Sequence, residues 1–278
     1  LDFSSDGAFL ASGGQDRKVH LWRVKAARKQ EKAGGHAAKV TAVAFTSGGE
    51  KVVSGGFDRS VRFWDPRTGR QLQKLATKGR LDAVAVSPDD RYLVTGGDDR
   101  LVRLWRLQDN LMSRVKGSHW SAVTVLAFAP NNAKILASAG EDRHVRVWSL
   151  VGDLNERRLI GHKRAVSGLA ISPDGSLVAS SSIDGTVRLW DLRDPSMNPV
   201  PLKLKSAQAT GVVFIPGSPD LAISDDEGNI QLWNPEDASL RPIFRGGAQS
   251  KIYHLAINAA GTLLGAASTS GNTYLLSV

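Results

Sequence analysis

Along this chain, apolar residues come in runs of five or six that alternate with small or polar ones, and each run ends in Gly, Pro, Asp or Ser. One stretch shows the scheme clearly: Val166-Ser-Gly-Leu-Ala-Ile171, then Ser172-Pro173-Asp174-Gly175, then Ser176-Leu-Val-Ala-Ser180, then Asp184-Gly185, then Thr186-Val-Arg-Leu-Trp190. The apolar runs read as short strands. The segments between them read as turns, with Pro173 fixing φ and Gly175 and Gly185 supplying a permissive backbone. A fourth, less regular strand follows the Trp, as in Gln71-Leu72-Gln73-Lys74-Leu75. No segment sustains a period of 3.6 residues, so no helix is predicted.

The scheme repeats. Trp stands at Trp22, Trp64, Trp105, Trp148, Trp190 and Trp233, at intervals of 42, 41, 43, 42 and 43 residues, and Leu276 takes the place of a seventh. A period near 42 residues marks a repeat architecture. Four antiparallel strands that are apolar on both faces cannot stand alone. Stacked face to face they hide both surfaces. The expectation is all-β: a seven-bladed β-propeller of four-stranded antiparallel blades, occupying residues 1–278 as one domain.

The residues resemble the WD-repeat β-propeller family. The Gly-His pair appears as Gly35-His36 and Gly161-His162, with Ser118-His119 as a variant, and the Trp-Asp pair as Trp64-Asp65 and Trp190-Asp191. The turn from Ser172 to Gly175 recurs in altered form from Ser87 to Asp90. The resemblance covers the whole chain and implies a non-enzymatic platform for proteins or peptides, such as the scaffold or sensor domain of a larger protein.

Three positions keep a fixed distance from each Trp. A Ser or Thr lies ten before it (Ser12, Ser54, Thr95, Ser138, Ser180), an Asp lies six before it (Asp16, Asp58, Asp99, Asp142, Asp184), and His36, His119 and His162 precede three copies. A Ser, a His and an Asp invite a hydrolytic reading. The resemblance implies an internal chain of hydrogen bonds instead, from indole to hydroxyl to imidazole to carboxylate. The sets are His36, Ser54, Asp58 and Trp64; His119, Ser138, Asp142 and Trp148; and His162, Ser180, Asp184 and Trp190. Repetition favours this structural reading, since a catalytic triad is needed once and buried polar atoms always need partners. The sixth copy has Ile223 and Glu227 at these positions and the seventh Ala266 and Ser270, so the last two blades are expected to be the softest.

Composition narrows the function. With no Cys, disulfides, thiolate metal sites and Cys nucleophiles are excluded. Phosphate-binding, zinc-protease, nucleophile-elbow and dinucleotide motifs are absent, so no catalytic residue, metal or cofactor is expected. The Gly13-Gly14, Gly55-Gly56 and Gly96-Gly97 pairs are read as strand ends before turns, fitting tight turns better than phosphate cradles. The formal charge is +9, but the segment 206–240 carries six acids and no Lys or Arg. Nucleic acid is therefore ranked behind a protein or peptide partner, as is an enzyme acting near the axis. No apolar run is long enough to span a membrane. The expected location is cytoplasmic and the expected state monomeric.

The resemblance places the partner face on the loop before the first strand and the turn before the third. Three and five residues after the His position stand, among others, Lys39 and Thr41, Arg80 and Asp82, Ala165 and Ser167, and Lys251 and Tyr253. The residue before the Asp position is Phe57, Asp98, Glu141 or Asp226 in four of the copies. The candidate contacts are Lys39, Phe57, Arg80, Asp82, Asp98, Trp120, Glu141, Asp226, Lys251 and Tyr253, with Trp120 the one Trp outside the repeat phase. The basic stretch Arg23, Lys25, Arg28, Lys29 and Lys32 is read as a solvated edge. The chain starts inside the first strand of the first copy and stops after the third strand of the seventh. It is therefore expected to be a piece of a longer protein whose upstream residues supply the last blade's outer strand.

Overall fold

The computed structural model describes residues 1–24, 28–109, 112–150, 156–194, 199–204, 208–246 and 250–278; the side chains of 28–34, 112–116 and 200 are outside the description. Every regular element among the described residues is a strand. The first sheet holds β1 (Asp2–Phe3), β2 (Phe9–Gly13), β3 (Lys18–Arg23) and β4 (Arg28–Gly35), and the second β5 (Val40–Phe45), β6 (Val52–Gly56), β7 (Ser60–Trp64) and β8 (Gln71–Ala76). The third holds β9 (Leu81–Val86), β10 (Tyr92–Gly97), β11 (Leu101–Arg106) and β12 (Met112–Ser118), and the fourth β13 (Val123–Ala129), β14 (Asn132–Gly140), β15 (Val145–Ser149) and β16 (Glu156–Leu159). Next come β17 (Val166–Ile171), β18 (Leu177–Ser182), β19 (Thr186–Asp191) and β20 (Val200–Lys203), then β21 (Ala209–Phe214), β22 (Leu221–Asp225), β23 (Asn229–Trp233) and β24 (Leu240–Arg245). The last sheet has three strands, β25 (Ile252–Ile257), β26 (Leu263–Ser268) and β27 (Thr273–Ser277). These are the seven blades of a β-propeller. The final blade lacks an outer strand among the described residues. The residues fall into two compact units, Leu1–Leu126 and Ala127–Val278.

In the first unit, the packing follows from strands that are apolar on both faces. Ala11, Val19 and Leu21 of the first blade meet Val40, Val43, Phe45, Val52 and Trp64 of the second. The other face of the second blade (Ala44, Val53, Val61, Phe63) meets Leu81, Val84, Leu93 and Trp105 of the third. In the second unit, Ala179 and Val187 pack on Val212, Leu221, Ile223 and Trp233, and Ile230 and Leu232 pack on Ile252, Leu255 and Leu264. Burying one such side chain stabilises by about 1.5–3 kcal/mol. Burial of this kind recurs at each of these blade interfaces.

The Gly pairs stand at the ends of β2, β6 and β10, before the turns, as expected. Gly13, Gly55 and Gly96 lie in β2, β6 and β10 and none has a positive φ. Their role is space: a Cβ would come within 2.3 Å of Val40 at Gly13, 2.7 Å of Val84 at Gly55 and 2.6 Å of Val123 at Gly96. The following blade's first strand packs where a side chain would stand.

The tight turn comes later, between the second and third strands. The residue after the Asp position is left-handed in every copy. It is Arg17, Arg59, Arg100 and Arg143 at φ 66°, 59°, 69° and 69°, then Gly185, Gly228 and Gly271 at φ 81°, 88° and 80°. A residue with a Cβ costs about 1–2 kcal/mol in that conformation, so four copies tolerate strain that three avoid.

Candidate functional site

Each blade carries a polar core built on strand register. Ser54 of β6 lies opposite Arg62 of β7, and Trp64 is two residues further along the same face. That diagonal lets the Trp64 indole N–H donate to Ser54 Oγ at 2.8 Å. The hydroxyl meets His36 Nε2 at 2.7 Å, and His36 Nδ1 donates to Asp58 Oδ1 at 2.8 Å. Asp58 Oδ2 accepts the Ala37 N–H at 2.9 Å, and Oδ1 accepts the Ser60 hydroxyl at 2.7 Å. The fifth blade repeats the chain: Trp190 to Ser180 at 2.8 Å, Ser180 with His162 Nε2 at 2.8 Å, and His162 Nδ1 to Asp184 at 3.0 Å. Asp184 also accepts the Lys163 N–H at 2.8 Å and the Thr186 hydroxyl at 2.6 Å.

Burial and bonding set the charges. Desolvation holds the His36 and His162 imidazoles below their ordinary value, against the pull of their Asp partners. Burial alone would raise Asp58, but the bonds from His36, Ser60 and the Ala37 N–H outweigh it and hold the carboxyl far below the usual range. Asp184 is held down at about 2 in the same way, by Thr186, Lys163 N–H and His162 acting against burial. Each imidazole is neutral, with one nitrogen donating to a carboxylate and the other accepting from a hydroxyl. That hydroxyl already accepts the indole N–H. The geometry engages the hydroxyl and the imidazole with one another inside the blade, with both His side chains fully buried.

The other copies vary. In the fourth blade Trp148 donates to Ser138 at 2.8 Å, and His119, Ser138 and Asp142 are all buried. In the third, Trp105 donates to Thr95 at 2.9 Å, and Arg103 bonds Asp99 at 2.6 Å. In the first, Trp22 donates to Ser12 at 3.2 Å and His20, two residues before the Trp, holds Asp16 at 2.7 Å. His20 is therefore tied to the repeat's acid rather than being an isolated third-strand residue. The same position carries Arg62 and Arg146, which reach Asp58 at 3.1 Å and Asp142 at 3.4 Å. These cations and the Ser60 and Thr186 hydroxyls keep a constant offset from Trp, a signal legible in the sequence itself. In the sixth blade the acid has moved. Asp225 is buried and accepts the Asn229 N–H at 2.8 Å and the Glu227 N–H at 3.0 Å, while Glu227 is exposed.

The residues expected to meet a partner form pairs. The N–H before the Asp position donates to the carbonyl three residues after the His position: Phe57 to Lys39 at 2.9 Å, Asp98 to Arg80 at 3.2 Å, Ile183 to Ala165 at 3.1 Å, Asp226 to Gln208 at 3.0 Å and Thr269 to Lys251 at 2.9 Å. In the first unit, Lys39 Nζ lies 5.7 Å and Arg80 Cζ 5.5 Å from the Phe57 ring centroid, within range of cation–π attraction. Asp98 is exposed and Asp82 half-buried beside them. In the second, Lys251 Nζ is 3.8 Å from Asp226 Oδ2, and Tyr253 is 53% exposed. Trp120 is 65% exposed, and Glu141 is exposed as well.

Two expected loop residues turn inward. The Thr41 hydroxyl donates to the Leu81 carbonyl at 2.6 Å, and Ser167 to the Ala209 carbonyl at 2.6 Å. Each stitches its first strand to that of the next blade and is not free for a partner. Of the basic stretch, Lys25 and the side chains of Arg28, Lys29 and Lys32 lie outside the described residues, and the Arg23 guanidinium sits 5.8 Å from the Phe9 ring centroid. No group of three His, Asp or Glu residues that could hold a metal occurs among the described residues. No described helix is long and apolar enough to cross a membrane.

Comparison with known proteins agrees with this architecture. The family model described as WD domain, G-beta repeat matches residues 1–23, 29–65, 69–106, 112–149 and 155–191, more than half of the chain. A protein of Oryza sativa subsp. japonica named "U3 snoRNP-associated protein-like YAOH" is 40% identical over 45 residues, 16% of this chain and 9% of that protein. The similarity thus spans under a tenth of that relative's length.

Proposed function

Since the chain belongs to the WD-domain, G-beta repeat family, we propose that it is a non-enzymatic platform that binds a protein or peptide through the loops before its first and third strands. One observation carries this reading: Phe57 gathers Lys39 and Arg80 around its ring at a loop edge. Aromatic and Arg side chains clustered in this way dominate the energy of many interfaces. Tyr253 and Trp120 add exposed aromatic surface in their own blades. In the second and fifth blades the Ser, His and Asp of the repeat are buried or half-buried and engaged with one another, which supports binding over catalysis.

The test is capture of partners by the intact protein and by F57A, R80A and Y253A variants. Loss of the same partners in the variants, with unchanged melting curves, is the expected result. Capture indifferent to all three substitutions, or turnover of a substrate by the purified protein, would replace this reading. The reading includes a cytoplasmic location. A fluorescent fusion checks it, and nuclear accumulation, which the ribonucleoprotein in the rice protein's name would suit, would move the platform there.

A further inference from the structure

The left-handed arginines present an anomaly. The turn before the third strand works with Gly, as Gly185, Gly228 and Gly271 show, yet Arg17, Arg59, Arg100 and Arg143 hold the same turn at φ 59–69°. Their guanidinium groups do nothing visible for the fold. All four are exposed, and none makes a hydrogen bond, ion pair or ring contact among the described residues. Backbone strain kept for a side chain without an internal role points to an external one.

Three of these arginines share one edge of the first unit. The Arg17 carbonyl accepts the His36 N–H at 2.7 Å, and the Val40 N–H reaches Gly14 at 3.1 Å. The Arg59 carbonyl accepts the Thr77 N–H at 2.8 Å, and the Arg100 carbonyl accepts the His119 N–H at 2.8 Å. The turns of blades one to three therefore lie against the loops that carry Lys39, Lys78 and Arg80, all exposed. The neighbouring acids Asp58 and Asp99 are held internally by Arg62 and Arg103, while Asp16, paired with His20, is exposed. Asp16 and Asp98 are exposed acids on the edge, among six exposed cations.

We propose that this edge binds an extended acidic peptide whose carboxylates pair with Arg17, Arg59 and Arg100. The proposal rests on the platform reading above and names the chemistry of its partner. Planar guanidinium groups on separate blades recognise carboxylates one at a time and can pair with them bidentately. Stacked sheets lie about 10 Å apart, and a chain in the polyproline II conformation has three residues per turn and rises about 3.1 Å per residue, so an acid at every third position faces the edge at close to the blade spacing. Nucleic acid fits less well. The Phe57 ring is already engaged by Lys39 and Arg80 rather than open for base stacking.

The probe is a fluorescein-labelled peptide of repeated Glu-Gly-Ser triplets, titrated by anisotropy at low and physiological salt. A Gln-Gly-Ser peptide and an oligothymidine of similar length are the comparators. The variant is R17G/R59G/R100G, in which Gly suits the turn and the fold is retained, as a melting temperature no lower than wild type confirms. The expected result is binding of the Glu peptide that weakens about tenfold or more in the variant, an affinity loss of about 1.4 kcal/mol, with no binding of the Gln peptide. Equal affinity in variant and wild type, no binding of the Glu peptide, or tighter binding of oligothymidine that the variant abolishes would overturn the proposal. If partners captured by the intact protein persist in the triple-Gly variant but vanish in F57A, the acidic peptide is wrong and the platform stands.

Discussion

The His at the head of each hydrogen-bond chain shows how a reactive-looking residue becomes a structural one. His162 has no exposed side-chain surface, and both ring nitrogens are engaged, one by Ser180 and one by Asp184. Replacing it with Ala orphans a buried hydroxyl and a buried carboxylate edge. H162A is expected to lower stability by about 1–3 kcal/mol, measured by urea unfolding, and H36A to do the same. The pH dependence follows from the same groups. His162 is held below its ordinary 6.5, so on acidification the unfolded chain takes up the proton first and stability falls as the pH drops below about 6.5. Asp184 lies at about 2 against an ordinary 3.8, so its contribution is present above about pH 4 and is lost as the pH falls toward 2. Melting temperature is therefore expected to decline below pH 6.5 and again below pH 4. The first decline should shrink in H36Q/H162Q, and a profile flat from pH 7 to 5 in the wild type would contradict this account.

At the scale of the element, the turn between second and third strands and the glycines before it have separate jobs. R59G relieves a left-handed residue but frees the unfolded chain, two terms of about 1–2 and 0.5–1 kcal/mol. The net expectation is unchanged stability or a gain of up to about 1.5 kcal/mol, read by thermal melting. G97A is expected to act in the opposite direction. Its Cβ would lie 1.9 Å from the Arg80 carbonyl oxygen, and backbone cannot yield as a flexible side chain does. Overpacking of this kind costs about 1–3 kcal/mol. A G97A protein as stable as wild type would show that the third blade's loop has room to move.

For the whole molecule, stability is spread over repeated interfaces, and the blades need not be equally firm. β27 has a partner strand on one side among the described residues, and Leu275 is 43% exposed. Its amides are expected to exchange with deuterium faster than those of β7, which β6 and β8 flank on both sides. Equal protection of β27 and β7 would mean that another segment covers the last edge. The sixth blade has lost the Ser and His of the chain but buries Trp233, Leu221 and Ile223 almost completely. Apolar packing replaces the polar core there, and the exchange of β23 measures how well.

Much of this architecture was legible without coordinates. Repeated strands and turns follow from local chemistry, because alternation of apolar residues and the φ preferences of Pro and Gly act within a few residues. The Trp period also set the offsets of Ser54, Asp58 and Trp64, whose side chains share a blade and whose contacts are fixed by strand register. What lay between blades was not legible. Thr41 and Ser167 look like loop residues, yet they bond carbonyls of the next first strand. Gly55 reads as a strand end before a turn, but not as the place where Val84 packs. Glu227 occupies the repeat's acid position, yet Asp225 does its work. Nor does the sequence show that Lys39 and Arg80, 41 residues apart, meet over Phe57. Local rules determine each strand and turn, whereas a contact between blades depends on how two sheets stack, and only the tertiary structure brings residues so far apart in the chain within a few ångströms.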